Sequence, residues 1–134
     1  MALAALGLLA ILAVGRWLEP DPRGYGTHTQ MGLPPCGFRA ATGRPCPACG
    51  LTTSVAWCVR GRFDRAAGAN PAGIAVTLGC AGVAAWLAAS AGLGAGRPRR
   101  WAARSVERPL VGLAVALVTL AFATWILRLI AFDP

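Results

Sequence analysis

Long apolar blocks alternate with short polar stretches along the chain. Residues 2–18, ALAALGLLAILAVGRWL, form the first apolar block. Residues 70–93 form the second, with no charge between Pro71 and Leu93, and residues 109–131 the third, interrupted only by Arg128 near its end. None carries the polar stripe of a helix half-covered by a soluble core, and each approaches the ~20 apolar residues that cross a bilayer as helix. The pattern predicts an all-α integral membrane protein with about three transmembrane helices. In the first block Ala13-Val14-Gly15 offers small residues for signal-peptide cleavage, but the positive charge that opens a signal peptide is missing. The block is therefore read as a retained helix, a possible signal anchor, with Arg16 and Trp17 reaching the headgroups.

The polar stretches are read differently. Residues 19–49 are dense in proline and glycine, which predicts a loop without regular structure through most of its length. In residues 50–60, GLTTSVAWCVR, Leu51, Val55, Cys58 and Val59 recur at helical spacing, and Phe63 continues the face. This predicts a short amphipathic interfacial helix, followed by a turn to residue 69. Asn70-Pro71 suits a helix start: asparagine caps a free amide, and proline has no amide to leave unpaired. Gly79, Ala81, Gly82 and Ala85 offer a small-residue surface for another helix. Residues 94–108 read as an Arg-rich loop, with Pro109 opening the last helix. The expected order is thus helix 1–18, polar loop 19–49, short helix and turn 50–69, helix 70–93, loop 94–108 and helix 109–131.

Composition supports the membrane reading: 56% of residues are hydrophobic and only 13% charged, too few charges to solvate a globular surface. The net charge is +8. Its arginines flank apolar blocks, so nucleic acid is not an expected partner. Positive residues beside spans stay on the cytoplasmic side. The dense run Arg97, Arg99, Arg100, Arg104 and Arg108 places its loop in the cytoplasm and the cysteine loop outside, in a multi-pass protein of the inner (plasma) membrane. Arg60, Arg62 and Arg65 pull the other way and read as a headgroup-contacting stripe. No span holds a charge at its middle, which argues against a pump or transporter. Asp64 and Glu107 are isolated acids, and no acid–base pair or nucleophile triad is present.

The remaining chemistry is sulfur. Of five cysteines, Cys36, Cys46 and Cys49 fall in the polar loop. Cys46-Pro47-Ala48-Cys49 is a CxxC turn leading into a helix, where the free amides favour a thiolate on Cys49. Two sulfurs at that spacing can share a metal or form a disulfide. Cys36 can add a third sulfur and His28 a nitrogen, a set suited to tetrahedral zinc. Thioredoxin-like chemistry expects a CxxC beside a βαβ pattern, and nothing here reads as β. A fixed disulfide or packed thiols, a metal site and a redox pair all remain open. Cys58 and Cys80 fall on apolar helices and read as packing.

The run Cys36-Gly37-Phe38 followed by Thr42-Gly43-Arg44-Pro45-Cys46-Pro47-Ala48-Cys49-Gly50-Leu51-Thr52 resembles the DUF2752 family, small bacterial membrane proteins of uncharacterised function. The resemblance continues through Gly61, Phe63, Ala66, Ala67, Asn70 and Pro71 to Trp125 and Arg128. Three features depart from the family pattern. Thr53 stands where an arginine is usual, so any role tied to that arginine does not carry over. Thr124 stands where asparagine often precedes the late tryptophan. His28 lies outside the pattern. The resemblance implies fold and topology but no reaction. The expected role is a structural or accessory, non-enzymatic subunit with the cysteine loop as a rigid cap, docking another membrane protein or a second copy of itself. The alternative is a thiol-redox or zinc-binding protein acting through Cys36, Cys46 and Cys49.

Overall fold

The computed structural model describes residues 2–92 and 99–130, and every regular element among them is helical. The elements are α1 (Ala2–Trp17), a 3-10 turn (Thr27–Met31), α2 (Gly37–Thr42), α3 (Leu51–Cys58), α4 (Phe63–Ala69), α5 (Pro71–Gly92) and α6 (Arg99–Ile130).

α3 is the hub. It is only two turns long, too short to hold itself together, and it is packed by α1, α4, α5 and the 3-10 turn. Thr53, Ser54, Val55, Ala56 and Cys58 are all buried. This corrects the amphipathic reading of residues 50–60. Val55 and Cys58 do face inward, but Phe63 is exposed and two hydroxyl residues are fully buried. Burying a hydroxyl is costly only without a partner. Ser54 Oγ donates to the Ala66 carbonyl at 2.9 Å, and the Thr53 and Thr27 hydroxyls meet at 2.8 Å. Residues 50–69 thus form two helices rather than one helix and a turn, with Ala66 and Ala69 of α4 buried.

Asn70 caps α5 as the sequence predicts: its Oδ1 accepts from the Ala72 amide at 3.1 Å. The buried face of α5 includes Ala72, Gly73, Thr77, Ala84 and Leu87, whereas Ala81, Gly82 and Ala85 are exposed. The close helix contact is made at Gly73, where a Cβ would overlap the Ser54 side chain. The small-residue surface that the sequence suggests lies on another face.

Two boundaries also differ. The 19–49 stretch contains the 3-10 turn and α2, short helices set between its breakers. α6 begins at Arg99, so residues 99–108 are helical rather than loop and Pro109 lies inside the helix. Pro109 removes a single backbone donor, and the Ala- and Arg-rich residues before it are good helix formers. Residues 93–98, including Arg97, and residues 131–134 lie outside the described residues.

Among the described residues one helix is long and apolar enough to cross a bilayer, Pro71–Ala89. At ~1.5 Å per residue it approaches the ~30 Å hydrocarbon thickness. Leu6–Trp17 and Ala114–Ile130 are shorter apolar stretches. α1 and α6 both pack on α5. Their far sides expose Leu3, Leu6, Leu9 and Ile11 on α1, and Val111, Val115, Val118, Phe122 and Ile126 on α6.

Candidate functional site: a thiol pair beside an arginine-lined recess

The site is built from the 46–50 turn. The Cys49 amide donates to the Cys46 carbonyl at 3.0 Å, and the Leu51 amide to Ala48 at 3.0 Å. Gly50 ends the turn with φ +80. A Cβ there would lie 2.5 Å from the Gly24 carbonyl oxygen and 2.6 Å from that of Ala69. Only glycine lets the turn sit between the residue 24 loop and the end of α4.

Three side chains distant in sequence then hold the turn by its carbonyls. Asn70 Nδ2 donates to Pro47 at 3.3 Å and Cys49 at 3.1 Å. Trp125 Nε1 donates to Pro45 at 2.8 Å. Arg128 donates to Cys49 and Gly68, each at 3.3 Å, and to Ala69. Trp125 and Arg128, three residues apart on one face of α6, are therefore clamps on the cysteine turn. The resemblance noted above singled them out in the sequence, without indicating what they touch. Arg60 likewise turns inward: it donates to the carbonyls of Gly15, Arg16 and Leu18, closing the end of α1. Arg62 pairs with Asp64 at 3.5 Å on the surface, and both Arg62 and Arg65 lie over the Trp57 ring.

The sulfurs pair across the loop. Cys36 sits just before α2, and its Sγ lies 3.4 Å from Cys46 Sγ. Cys49, the other member of the CxxC, is buried. All five cysteines are free thiols. His28 lines a cavity shared with Cys36 and Cys46, with Nε2 3.2 Å from the Pro34 carbonyl oxygen. Among the described residues, no three His, Cys, Asp or Glu side chains stand in an arrangement that would hold a metal ion. Cys58 is buried, and burial pushes its thiol up. Cys80 lies part-way along α5.

The two paired thiols differ in acidity. The backbone amide of Arg39, at the start of α2, holds Cys36 below the usual thiol range; the neighbouring Cys46 thiol, the Phe38 amide and the Arg39 charge add to this. Burial pushes Cys46 above that range, and its proximity to Cys36 adds to the shift. At a given pH, then, Cys36 is the more ionised sulfur and Cys46 the more protonated one.

The pair opens into a cavity of about 780 Å³ that is also lined by Tyr25, His28, Leu33 and Arg39. A recess of about 330 Å³ adjoins it, lined by Arg23, Tyr25, Arg39, Pro45, Cys49 and Arg128. Arg39 stacks on the Tyr25 ring with its guanidinium carbon 3.7 Å from the centroid, and Arg23 lies 5.2 Å away. Arg23 is paired with Asp21 at 2.7 Å. This juxtaposition of thiols and guanidinium groups was not legible in the sequence, because Arg23 and Arg39 lie far apart in the polar loop and Arg128 comes from the end of α6.

Residues 36–84 match the model of a family described as a protein of unknown function, DUF2752. The matched segment holds Cys36, the whole 46–50 turn, α3, α4 and the first part of α5. Neither the curated proteins nor the solved structures contain a match to the chain.

Proposed function

We propose, for a chain whose residues 36–84 are a DUF2752 segment, that it is a membrane-embedded thiol–disulfide protein in which Cys36 attacks and Cys46 resolves. One observation carries the reading: the two sulfurs lie 3.4 Å apart beside a cavity, with opposite acidities. The Cys36 thiolate attacks one sulfur of a partner disulfide. A Cys36–substrate disulfide forms, and the other half of the partner leaves as a thiolate that takes up a proton. Cys46 then loses its proton and attacks Cys36 Sγ, expelling the second half as a thiol. The protein's dithiol becomes a Cys36–Cys46 disulfide while one partner disulfide becomes two thiols. Trapping tests this. Cys46→Ser is expected to accumulate a mixed disulfide at Cys36, visible by mass spectrometry, and Cys36→Ser to form none at Cys46. Equal trapping at both positions would overturn the assignment.

A second reading has its own support. Asn70, Trp125 and Arg128 converge on the turn's carbonyls, which suits a rigid cap on an accessory subunit that docks another membrane protein. Under that reading Cys36→Ala and Cys46→Ala lower stability but leave partner co-purification intact.

The bilayer is the proposed setting. α5 is the span supported by length, and α1 and α6 complete three spans, with their outward apolar side chains facing lipid. The cysteine loop then faces the extracytoplasmic side, where disulfides persist, and the 97–108 segment faces the cytoplasm. A membrane-impermeant maleimide added to intact cells is expected to label Cys36. Labelling that requires lysis would reverse the topology.

A further inference from the structure

The recess beside the thiols carries one sign of charge. Arg23, Arg39 and Arg128 line it, and among the described residues no aspartate or glutamate lines either it or the adjoining cavity. Asp21 compensates Arg23 only. Arg128 donates to neutral carbonyls alone among the described residues. Arg39 rests on the Tyr25 ring, with no carboxylate partner among the described residues. Among the described residues, then, the guanidinium charges of Arg39 and Arg128 have no counter-charge, and Arg39 shares the cavity of Cys36 and Cys46. A cleft lined by one sign of charge concentrates ligands of the other sign, and a guanidinium presents paired donors that match a carboxylate.

We infer that the site selects a small disulfide bearing carboxylate groups, with a carboxylate held at Arg39 and drawn in by the charge of Arg128 while the substrate's S–S bond lies against Cys36. The cavity has the size of a small-molecule site. The same charges would stabilise the departing thiolate. This inference rests on the thiol–disulfide reading above. A lipid headgroup offers the same anionic chemistry, so the test separates the two sources.

The experiment uses the reduced full-length protein in a neutral detergent. Oxidation of the Cys36–Cys46 pair is timed with three small disulfides: dianionic dithiodiglycolate, neutral bis(2-hydroxyethyl) disulfide and cationic cystamine. Each rate is divided by that of the same compound with a free neutral thiol, which removes intrinsic reactivity. The expected order is anionic, neutral, cationic, spanning about tenfold and compressed by added salt. Arg39→Gln is expected to lose the preference and Arg39→Lys to keep most of it. Equal normalised rates, or a preference for cystamine, would overturn the inference.

A second measurement does not depend on redox turnover or on a variant that folds. Succinate, a dianion without sulfur, is expected to slow alkylation of Cys36 by neutral N-ethylmaleimide in the wild-type protein, and betaine is not. If no disulfide oxidises the pair, the thiol–disulfide reading fails while succinate protection still reports on the anion site. Protection found only in bilayers containing phosphatidylglycerol, and not with succinate, assigns the charge to headgroups and overturns the small-molecule assignment.

Discussion

Cys36 and Cys46 are the same amino acid ten positions apart, yet their surroundings drive their acidities in opposite directions. Backbone amides at the start of α2 stabilise a thiolate on Cys36, and burial penalises one on Cys46. For a thiol whose folded pKa is lowered, the stabilisation is fully present above the unfolded value and is lost as pH falls through the folded value. Cys46 has the opposite sign, contributing below the unfolded value and losing that contribution as pH rises through its raised one. Site-resolved alkylation against pH should show Cys36 reacting at lower pH than a free thiol and Cys46 lagging behind both. Superimposable profiles would sink this picture. Asn70 makes a second residue-scale prediction. It caps α5 and holds the Pro47 and Cys49 carbonyls with the same amide group. Asn70→Ala loses a cap worth ~1 kcal/mol and buried hydrogen bonds worth ~1 kcal/mol each. Asn70→Asp keeps the cap but loses both donors and sets a carboxylate against two carbonyl oxygens. Denaturant unfolding should find both variants destabilised, and an Asp variant as stable as wild type would show that the donors contribute nothing. The sequence revealed the cap, because Asn-Pro is a local signal. It was silent on the donors, whose partners lie more than twenty residues away.

At the scale of elements, α6 acts as a clamp and α3 as a buried keel. Trp125 and Arg128 reach Pro45 and Cys49 across some eighty residues of chain. Trp125→Phe removes one hydrogen bond while keeping the ring, and Arg128→Lys replaces a planar fork with a point charge. Hydrogen exchange at the Cys49 and Leu51 amides should quicken in both variants, with α5 protection unchanged. Unaltered exchange would mean that the clamp is idle. Gly73→Ala forces a methyl group against Ser54 and should cost ~1–3 kcal/mol, the range for overpacking a tight contact. Gly82→Ala, on an open face, should be neutral. The pattern of apolar positions located α3, because Leu51, Val55 and Cys58 keep helical spacing. It misjudged the surroundings, because periodicity assumes one wet face. No residue of α3 is fully exposed, and Ser54 and Thr53 find partners on α4 and in the 3-10 turn.

For the whole molecule, hydropathy and contacts carry different weight. α5 has the length and composition of a span, and α1 and α6 flank it with apolar residues turned outward. If all three cross the bilayer, the protein should stay in the pellet through alkaline carbonate extraction. Release into the supernatant would leave it peripheral at most. The arginines divide into two classes that composition cannot separate. Arg62 and Arg65 stay at the surface over Trp57, while the half-buried Arg60 and Arg128 cap the free carbonyls at the ends of α1 and α4. Arg60→Gln should therefore loosen the junction of α1 and α3, read as faster proteolysis after Trp17, whereas Arg65→Gln should leave the fold unchanged.

By itself, the sequence determined what depends on near neighbours. Helical class, the order of apolar and polar segments, the start of α5 and the turn at Cys46–Cys49 all follow from residues within a few positions of one another. Only the tertiary structure decided which sulfurs meet. The CxxC spacing pointed to Cys46 with Cys49, but the folded chain sets Cys46 against Cys36 and turns Cys49 inward. The reason is that the turn's position is set by Asn70, Trp125 and Arg128, and that of Cys36 by α2. The same distant contacts gather Arg23, Arg39 and Arg128 around the pair. No local pattern encodes a meeting that takes the whole chain to arrange.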